Sequence, residues 1–439
     1  MRHKSFYIYT FGCQMNVHDS EQMGALLRDS GCRPAADPAA ADIVIVNTCS
    51  IREKADQKAH SLLGRLRRMK QKNPRLIVGV AGCLAQQWGE EFARRIPGLD
   101  LVVGTHNIHL IPEMIARVQT CGAPLVETSF RDEVNSIGIF APPGNGAVSA
   151  FVTVMQGCDN FCAYCVVPYL RGREQSRRPE DILGEIGKLA GRGISEVTLL
   201  GQNVNSYGVS FGNGYDFASL LRDVAGVKGV ERIRFTTSHP KDLSERIARC
   251  FAEIGSLCEH IHLPVQSGSD SVLTAMNRGY RAAEYIKKVD KLRQMCSNIS
   301  VTSDIIVGFP GETEEDFRHT IRLMERVRFD GLFSFRYSDR PGTAAAKFAA
   351  KVEDKVKRER LSELQRLQDG ITLEKHEAAV GSVEEILIEG YSRNSRAEIS
   401  GRTRTNKIVN LEGGPEWIGK TVPVRIEKAY LHSLRGKLV

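Results

Sequence analysis

No stretch of this chain approaches 18 uninterrupted apolar residues, and residues 1–17 contain no apolar core followed by a small-residue cleavage site. Those two absences predict a cytoplasmic protein with neither a membrane span nor a secretory leader. The composition also lacks the bias of a disordered, collagen-like or small disulfide-stapled chain, since 42% of residues are hydrophobic and 26% charged. Nor is either charge dominant. Sixty Lys and Arg against 52 Asp and Glu leave a formal +8, which permits a nucleic-acid partner without requiring one. What the chain does have is cysteine, 11 residues of it. In a reducing compartment an odd set of thiols points to metal or catalysis before disulfides. At about 100–200 residues per domain, 439 residues suggest two to four domains.

Along residues 1–140, short apolar runs at Tyr7-Ile8-Tyr9, Ile43-Val44-Ile45-Val46, Leu76-Ile77-Val78-Gly79-Val80 and Leu101-Val102-Val103 alternate with helix-length segments. Such runs belong to strands covered on both faces, so a doubly wound parallel α/β domain is expected. The Pro/Gly stretch 141–146 reads as a linker. Strand and helix alternation then resumes, with strands expected at 151–156, 196–200, 231–236, 260–263, 300–307 and 331–337. Six βα units across 147–378 predict a partial (βα)6 barrel, smaller than the eight-unit form. Residues 351–377 carry Val352, Val356, Leu364, Leu367 and Ile371 at helical spacing and read as a surface helix leading out of it. From 379 to 439, β-type runs at 383–388, 407–411 and 422–426 with Gly-containing turns predict a small β-barrel. Its last 49 residues hold ten basic and four acidic side chains, an RNA-gripping surface or an ordinary solvated face.

The sharpest local signal is Gly157-Cys158-Asp159-Asn160-Phe161-Cys162-Ala163-Tyr164-Cys165, a C-x3-C-x2-C loop directly after the first barrel strand. Three thiolates so close can converge on one soft metal centre, as in iron–sulfur clusters. Three ligands rather than four leave a cubane with one iron open. Structural zinc is the weaker rival, because it wants four ligands and His239 is far along the chain. This loop resembles the radical S-adenosylmethionine superfamily. The resemblance implies that Cys158, Cys162 and Cys165 ligate a 4Fe-4S cluster, whose open iron chelates S-adenosylmethionine and whose electron cleaves it to a 5′-deoxyadenosyl radical.

Cys13, Cys49 and Cys83 follow the first three expected strands at intervals of 36 and 34 residues. In a doubly wound fold all three arrive at the carboxyl edge of the sheet, where ligands bind. Small or polar neighbours (Phe11-Gly12-Cys13-Gln14-Met15-Asn16, Asn47-Thr48-Cys49, Ala81-Gly82-Cys83) suit a metal loop, with buried structural cysteines as the alternative. Cys32, Cys121, Cys250, Cys258 and Cys296 show no ligand-like spacing and read as core or incidental thiols.

A three-cysteine N-terminal domain, a radical barrel and a terminal β-barrel together resemble the methylthiotransferases, over nearly the whole chain. Gly201-Gln202-Asn203-Val204-Asn205-Ser206-Tyr207, Thr236-Thr237-Ser238-His239-Pro240, Val307-Gly308-Phe309-Pro310-Gly311-Glu312-Thr313 and Gly401-Arg402-Thr403-Arg404-Thr405-Asn406 are similar to the tRNA branch. That resemblance implies three parts: residues 1–140 with an auxiliary 4Fe-4S cluster on Cys13, Cys49 and Cys83 carrying sulfide or polysulfide, the radical domain at 147–378, and an RNA-binding TRAM domain at 379–439. The implied reaction methylthiolates carbon 2 of N6-isopentenyladenosine at tRNA position 37 with two molecules of S-adenosylmethionine. One methylates the cluster-borne sulfur and the other supplies the radical. The base must be unstacked into a pocket, so both triads are expected to face one cavity. Implied partners are the tRNA anticodon stem-loop, an electron donor such as flavodoxin, and an iron–sulfur or sulfur carrier protein, acting on a monomer free of the membrane. Rivals are the same chemistry on threonylcarbamoyl-adenosine or a ribosomal protein, and an iron–sulfur RNA-binding or redox-sensing protein without turnover.

Polar residues at barrel strand exits complete the expected cofactor site: Gln202, Asn203, Ser238, Gln266 and Asp304, with Phe161 and Tyr164 in the loop. Ser267 and His239 lie beside them, and any one of these residues can equally be a cap or turn hydrogen bond. For RNA, Arg171, Arg173, Arg177 and Arg178 follow the cluster loop, Arg402 and Arg404 lie in the terminal barrel, and residues 52–72 form a helix with eight basic and two acidic residues.

Overall fold

Strands buried on both faces are predominantly apolar, and residues 43–48, 77–81 and 101–103 form such strands at the centre of the N-terminal sheet. In the computed structural model, which describes residues 4–50, 53–121, 123–130, 139–144, 146–393 and 395–439, internal contacts divide the chain into two compact units. One comprises residues 1–143, 151–159 and 165–182; the other comprises 144–150, 160–164 and 183–439.

The first unit runs β1 (Ser5–Phe11), α1 (Gln14–Asp29), β2 (Arg33–Pro34), β3 (Ile43–Thr48), α2 (Glu53–Lys72), β4 (Ile77–Ala81), α3 (Cys83–Arg95), β5 (Leu101–Val103), α4 (Ile111–Cys121) and β6 (Leu125–Glu127). Its parallel sheet has the order β2-β1-β3-β4-β5-β6, so the winding reverses between β1 and β3. Alternate residues feed two cores. Val44, Val46, Val78 and Val80 pack with Leu62, Leu63 and Leu66 of α2, while Ile43, Ile45 and Ile77 pack with Met23 and Leu27 of α1 and Ile111 and Ile115 of α4. Each fully buried aliphatic side chain contributes about 1.5–3 kcal/mol before ordering costs. The expected doubly wound sheet is observed, with β2 and β6 as strands that the apolar runs did not announce. Also in this unit, β8 (Met155–Gln156) pairs antiparallel with β9 (Gln175–Ser176), and α5 (Val167–Arg171) follows the cluster loop. The strand β7 (Ser149–Thr153) enters this region and α6 (Pro179–Ala190) leaves it.

In the second unit, β10 (Glu196–Leu200), α7 (Phe217–Ala225), β11 (Arg232–Thr236), α8 (Glu245–Glu253), β12 (His260–His262), α9 (Asp270–Ala275), α10 (Ala282–Met295), β13 (Ser300–Val307), α11 (Glu314–Val327) and β14 (Gly331–Arg336) follow in turn. β10 pairs with β11, β12 with β13 and β13 with β14, all parallel, and an Ile233–Leu257 bridge joins the β11 region to the chain before β12. These are the strands of the expected partial barrel. Asp216, Ser244, Ser269 and Thr313 each accept a backbone N–H at a helix start, caps worth about 0.5–2 kcal/mol apiece. α12 (Asp354–Glu377) buries Leu364 and Ile371 of the expected face. β15 (Val383–Tyr391), β16 (Glu398–Thr403), β17 (Ile408–Glu412), β18 (Thr421–Tyr430) and β19 (Ser433–Leu438) then close a barrel in the order β15-β16-β17-β19-β18. Glycine lets its strands close up: a Cβ on Gly401 would lie 2.2 Å from the Leu387 carbonyl oxygen. No helix among the described residues is long and apolar enough to cross a membrane.

Candidate functional site

Register decides where the first three cysteines go. Phe11 pairs with Thr48 and Asn47 with Ala81, so β1, β3 and β4 end level, and Cys13, Cys49 and Cys83 open the turns beyond them. Gly12 and Gly82 take positive φ there, and a Cβ on Gly12 would lie 2.7 Å from the Cys49 Cβ. Asn16 and Asn47 form a polar floor beneath the turns. Asn47 Nδ2 donates to the Asn16 carbonyl at 2.8 Å, and Asn16 Oδ1 lies 3.4 Å from Cys13 Sγ. The buried hydroxyls of Thr48 and Ser50, flanking Cys49, have no partner among the described residues. Burial pushes the Cys83 thiol up, against the pull of the Arg171 guanidinium beside it.

The cluster loop is pinched at its base. Gly157 adopts positive φ, and a Cβ on it would lie 2.0 Å from the Arg173 carbonyl oxygen, so only glycine lets the two ends of the loop approach so closely. Asp159 then takes the Arg173 fork at 2.7 and 3.1 Å. Cys165 Sγ accepts the Val167 N–H at 3.4 Å as α5 begins, and Val166 and Leu170 pack onto Cys83. Arg171 ends that helix 3% exposed, paired with Asp19 at 2.6 Å. Burial opposes its charge, and Asp19 with Cys83 and Cys13 more than restores it. The first unit therefore carries Cys13, Cys49, Cys83, Cys158 and Cys165, and residues 165–171 bring the chain leaving one triad onto a cysteine of the other.

Cys162 sits in the second unit, 8% exposed. Its Sγ lies 3.4 Å from Arg278 Nη1 and 4.0 Å from His239 Nε2. Burial, then Arg278, Lys241 and Lys288, push His239 down to about 2, so the ring is neutral. Since its Nδ1 accepts the Lys241 N–H at 3.2 Å, the proton belongs on Nε2, facing the sulfur. Asn277 Nδ2 holds the carbonyl of Phe161, a residue at positive φ, at 3.1 Å. The Arg278 guanidinium also reaches Tyr164 Oη at 3.3 Å and the Pro264 carbonyl at 2.7 Å.

Among the strand-exit residues, Ser238 Oγ, Gln266 Oε1 and Asn205 Oδ1 are buried without a partner among the described residues, the signature of a site built to receive polar groups. Gln202 is half-buried, and Asp304 keeps 26% of its side chain exposed with Oδ1 3.4 Å from His262 Nε2. Ser267 is wholly buried, 3.3 Å from the Thr320 hydroxyl. Asn203 is internally bonded: its side-chain amide donates to Ser206 Oγ at 3.0 Å and Asp242 at 2.7 Å, and its Oδ1 accepts the His239 N–H at 3.0 Å. It braces the loop and has little left for a ligand.

Three of the arginines expected to contact RNA are held by acids within the chain. Arg171 is interior. Arg404 forks onto Glu259 at 2.9 and 3.0 Å and donates to the Gly255 and Leu257 carbonyls. Arg402 pairs with Glu389 at 3.1 Å. Arg232 and Arg234, themselves held by Glu196, grip the Arg402, Thr403 and Arg404 carbonyls, so this hairpin ties the terminal barrel to the β10–β11 sheet. Arg173 and Arg178 remain exposed, and Arg177 is half-buried on the Thr153 carbonyl. On α2, Lys58, Arg65, Arg67, Arg68 and Lys72 are exposed opposite the buried Ala59, Leu62 and Leu66; Arg52 and the side chains of residues 53–56 lie outside the described residues. Cys32, Cys250, Cys258 and Cys296 are buried, as incidental thiols should be, and the Cys121 side chain lies outside the described residues. Arg278, Asp19 and the Thr48 and Ser50 hydroxyls are invisible in the sequence, because none stands at a spacing that marks a ligand.

No three His, Cys, Asp or Glu side chains among the described residues converge as ligands of a single ion do. Three thiolates on one zinc would lie within roughly 4 Å of one another. Clusters instead spread their thiolates over separate irons, so cluster ligands need not meet that spacing.

Residues 5–104 match the family described as uncharacterized protein family UPF0004, 152–324 the radical SAM superfamily and 377–439 the TRAM domain. The chain is 55% identical to a tRNA-2-methylthio-N(6)-dimethylallyladenosine synthase of Syntrophus aciditrophicus, across 99% of this chain and 95% of that protein. It is 52% identical to the one from Geotalea uraniireducens across 100% and 99%. In fold alone it is similar to the radical S-adenosylmethionine methyltransferase TsrM of Kitasatospora setae, with a TM-score of 0.58 and 14% identity over 79% of this chain and 75% of that one. The cobalamin-dependent S-adenosylmethionine radical enzyme OxsB gives a TM-score of 0.54 at 13% identity, over 84% and 56%.

Proposed function

The chain belongs to the tRNA-2-methylthio-N(6)-dimethylallyladenosine synthase family, and on that premise we propose the function of each part of its site. It is a radical S-adenosylmethionine enzyme that methylthiolates tRNA, and its cofactors include a 4Fe-4S cluster and S-adenosylmethionine. Cys158, Cys162 and Cys165 would hold that cluster, and Cys13, Cys49 and Cys83 a second one. When bound, these groups supply the radical that activates carbon 2 of the N6-isopentenyladenine at position 37 and the sulfur, as sulfide or polysulfide, that replaces its hydrogen.

This chain's own residues prepare the site. Arg278 and His239 direct N–H groups at the Cys162 sulfur, and Arg171 directs one at Cys83. Ser238, Gln266 and Asn205 offer buried polar atoms to the methionine, ribose or adenine groups of S-adenosylmethionine, joined by Gln202, Asp304, Phe161 and Tyr164. The exposed basic face of α2, with Arg173, Arg177 and Arg178, is proposed to grip phosphates of the anticodon stem-loop. The functional division is 1–140 for sulfur, 147–378 for the radical and 379–439 for RNA, in a cytoplasmic monomer served by a flavodoxin-like donor and a sulfur or iron–sulfur carrier.

One observation carries this reading: three level strand ends deliver Cys13, Cys49 and Cys83 to one sheet edge, and residues 165–171 bring the chain from the radical loop onto Cys83. The deciding experiment incubates anaerobically reconstituted protein with isopentenylated tRNA, S-adenosylmethionine and reductant, followed by mass spectrometry of the nucleosides. The expected product is the 2-methylthio nucleoside. Cleavage of S-adenosylmethionine with the tRNA unchanged would overturn the substrate assignment, and neither event would overturn the chemistry.

A further inference from the structure

Five arginines among the described residues are less than a tenth exposed: Arg171, Arg232, Arg234, Arg278 and Arg360. Four of them have an acid at hand. Asp19 pairs with Arg171, Glu196 with Arg232 and Arg234, and Glu312 with Arg360. Arg278 is the exception. It is 4% exposed, and no carboxylate among the described residues lies within ion-pair distance of it. Its guanidinium meets Tyr280 Oη at 3.2 Å, Tyr164 Oη, the Pro264 carbonyl and the Cys162 sulfur at 3.4 Å. Arginine does not lose its proton in proteins, and a buried charge without a counter-charge is strongly unfavourable. Such a residue persists where the missing anion arrives with a ligand. Among its contacts in the described residues, Cys162 is the one that becomes anionic by ligating a cluster, whereas burial holds the Tyr280 phenol protonated.

We propose that Arg278 is the counter-charge of the cluster on Cys158, Cys162 and Cys165, a positioning residue whose N–H donates to the Cys162 sulfur. The proposal rests on the reading of that loop as a cluster site. Reduction adds negative charge to the cluster, so a fixed cation and an N–H···S hydrogen bond favour the reduced state and raise the potential. Arg171 differs because Asp19 already neutralises it.

The test uses the full-length chain with Cys13, Cys49 and Cys83 changed to Ala, reconstituted anaerobically, so that only the proposed radical cluster is read. Into this parent are placed Arg278→Met, which keeps length and removes charge, and Arg278→Lys, which keeps charge and loses the planar fork. At the parent's midpoint potential, electron paramagnetic resonance is expected to show the reduced-to-oxidised ratio about tenfold lower in Arg278→Met, with Arg278→Lys between them. Release of iron to a chelator should quicken about tenfold. Without iron, Arg278→Met should melt within about 5 °C of the parent, because the lost hydrogen bonds are offset by removing a buried cation that has no carboxylate counter-charge there. Unchanged potential and iron release would overturn the proposal, as would an equal loss of melting temperature with and without iron, the mark of a merely structural residue. A parent that retains no iron would overturn the cluster reading itself, before any variant is made.

Discussion

Asp19→Asn removes one charge from the most enclosed ion pair among the described residues of the N-terminal unit while keeping nearly the same shape. Asp19 and Arg171 are 5% and 3% exposed and 2.6 Å apart, so water cannot take over from the missing carboxylate. Breaking such a pair from one side typically costs about 3–5 kcal/mol, because the remaining ion is buried and uncompensated. At about 2–4 °C per kcal/mol, the iron-free unit should melt roughly 6–20 °C lower. Guanidinium unfolding followed by tryptophan fluorescence would read the same destabilisation, since Trp88 lies in α3 of this unit. The double variant Asp19→Asn with Arg171→Met should recover most of the stability, because it leaves no lone charge. Protein loaded with iron should be destabilised less than apo-protein, since a Cys83 thiolate beside Arg171 partly replaces Asp19. An apo-protein effect below about 1 kcal/mol, the range of solvent-screened surface pairs, would refute the burial argument for this pair.

Changing Cys158, Cys162 and Cys165 together to Ala should leave about half the iron of reconstituted protein, as should changing Cys13, Cys49 and Cys83; complete loss from either triple would argue against independent clusters. Reversing Arg65, Arg68 and Lys72 on α2 to Glu should weaken tRNA binding and lower its salt slope by roughly one for each phosphate no longer neutralised. By contrast, Arg404→Ala should act on stability, by about 2–3 kcal/mol through the freed Glu259, with the salt slope unchanged. Asp316, despite partial burial, is held well below the usual carboxylate range by hydroxyls of Ser269, Ser271 and Thr313 and by a backbone N–H. Its stabilisation is therefore complete above an unfolded value of about 3.9 and lost as pH falls towards the depressed folded value. The stability gap between wild type and Asp316→Asn should be full at pH 6 and narrow below about pH 4, and a gap independent of pH would remove the ionic explanation.

Much of the architecture was legible because burial on both faces writes itself into composition. The runs at Ile43-Val44-Ile45-Val46 and Leu76–Val80 became the central strands of the N-terminal sheet, and the barrel strands fell within a residue or two of their expected positions. Strands β16 and β19 were not legible. They read as Glu-Ile-Ser-Gly-Arg-Thr and Ser-Leu-Arg-Gly-Lys-Leu, where Gly and Arg mask the alternation. In a closed barrel those glycines admit the neighbouring strand's backbone, so they support the strand and hide its signal.

The functional residues divide along the same line. Thiolates at C-x3-C-x2-C spacing, and three cysteines one βα unit apart, are local or periodic features visible in the chain itself, because ligand type and spacing alone restrict what they bind. The fate of a charge is different. Arg171, Arg402 and Arg404 look like phosphate ligands in the sequence, yet Asp19, Glu389 and Glu259 claim them, 152, 13 and 145 residues away. Arg278, unremarkable in the sequence, becomes the one buried arginine without an acid among the described residues. The chain by itself therefore determined the chemistry, through which ligand atoms it carries and how they repeat. Only the tertiary structure decided which charges face solvent and which stand beside the sulfurs, because pairing and desolvation depend on neighbours distant in sequence.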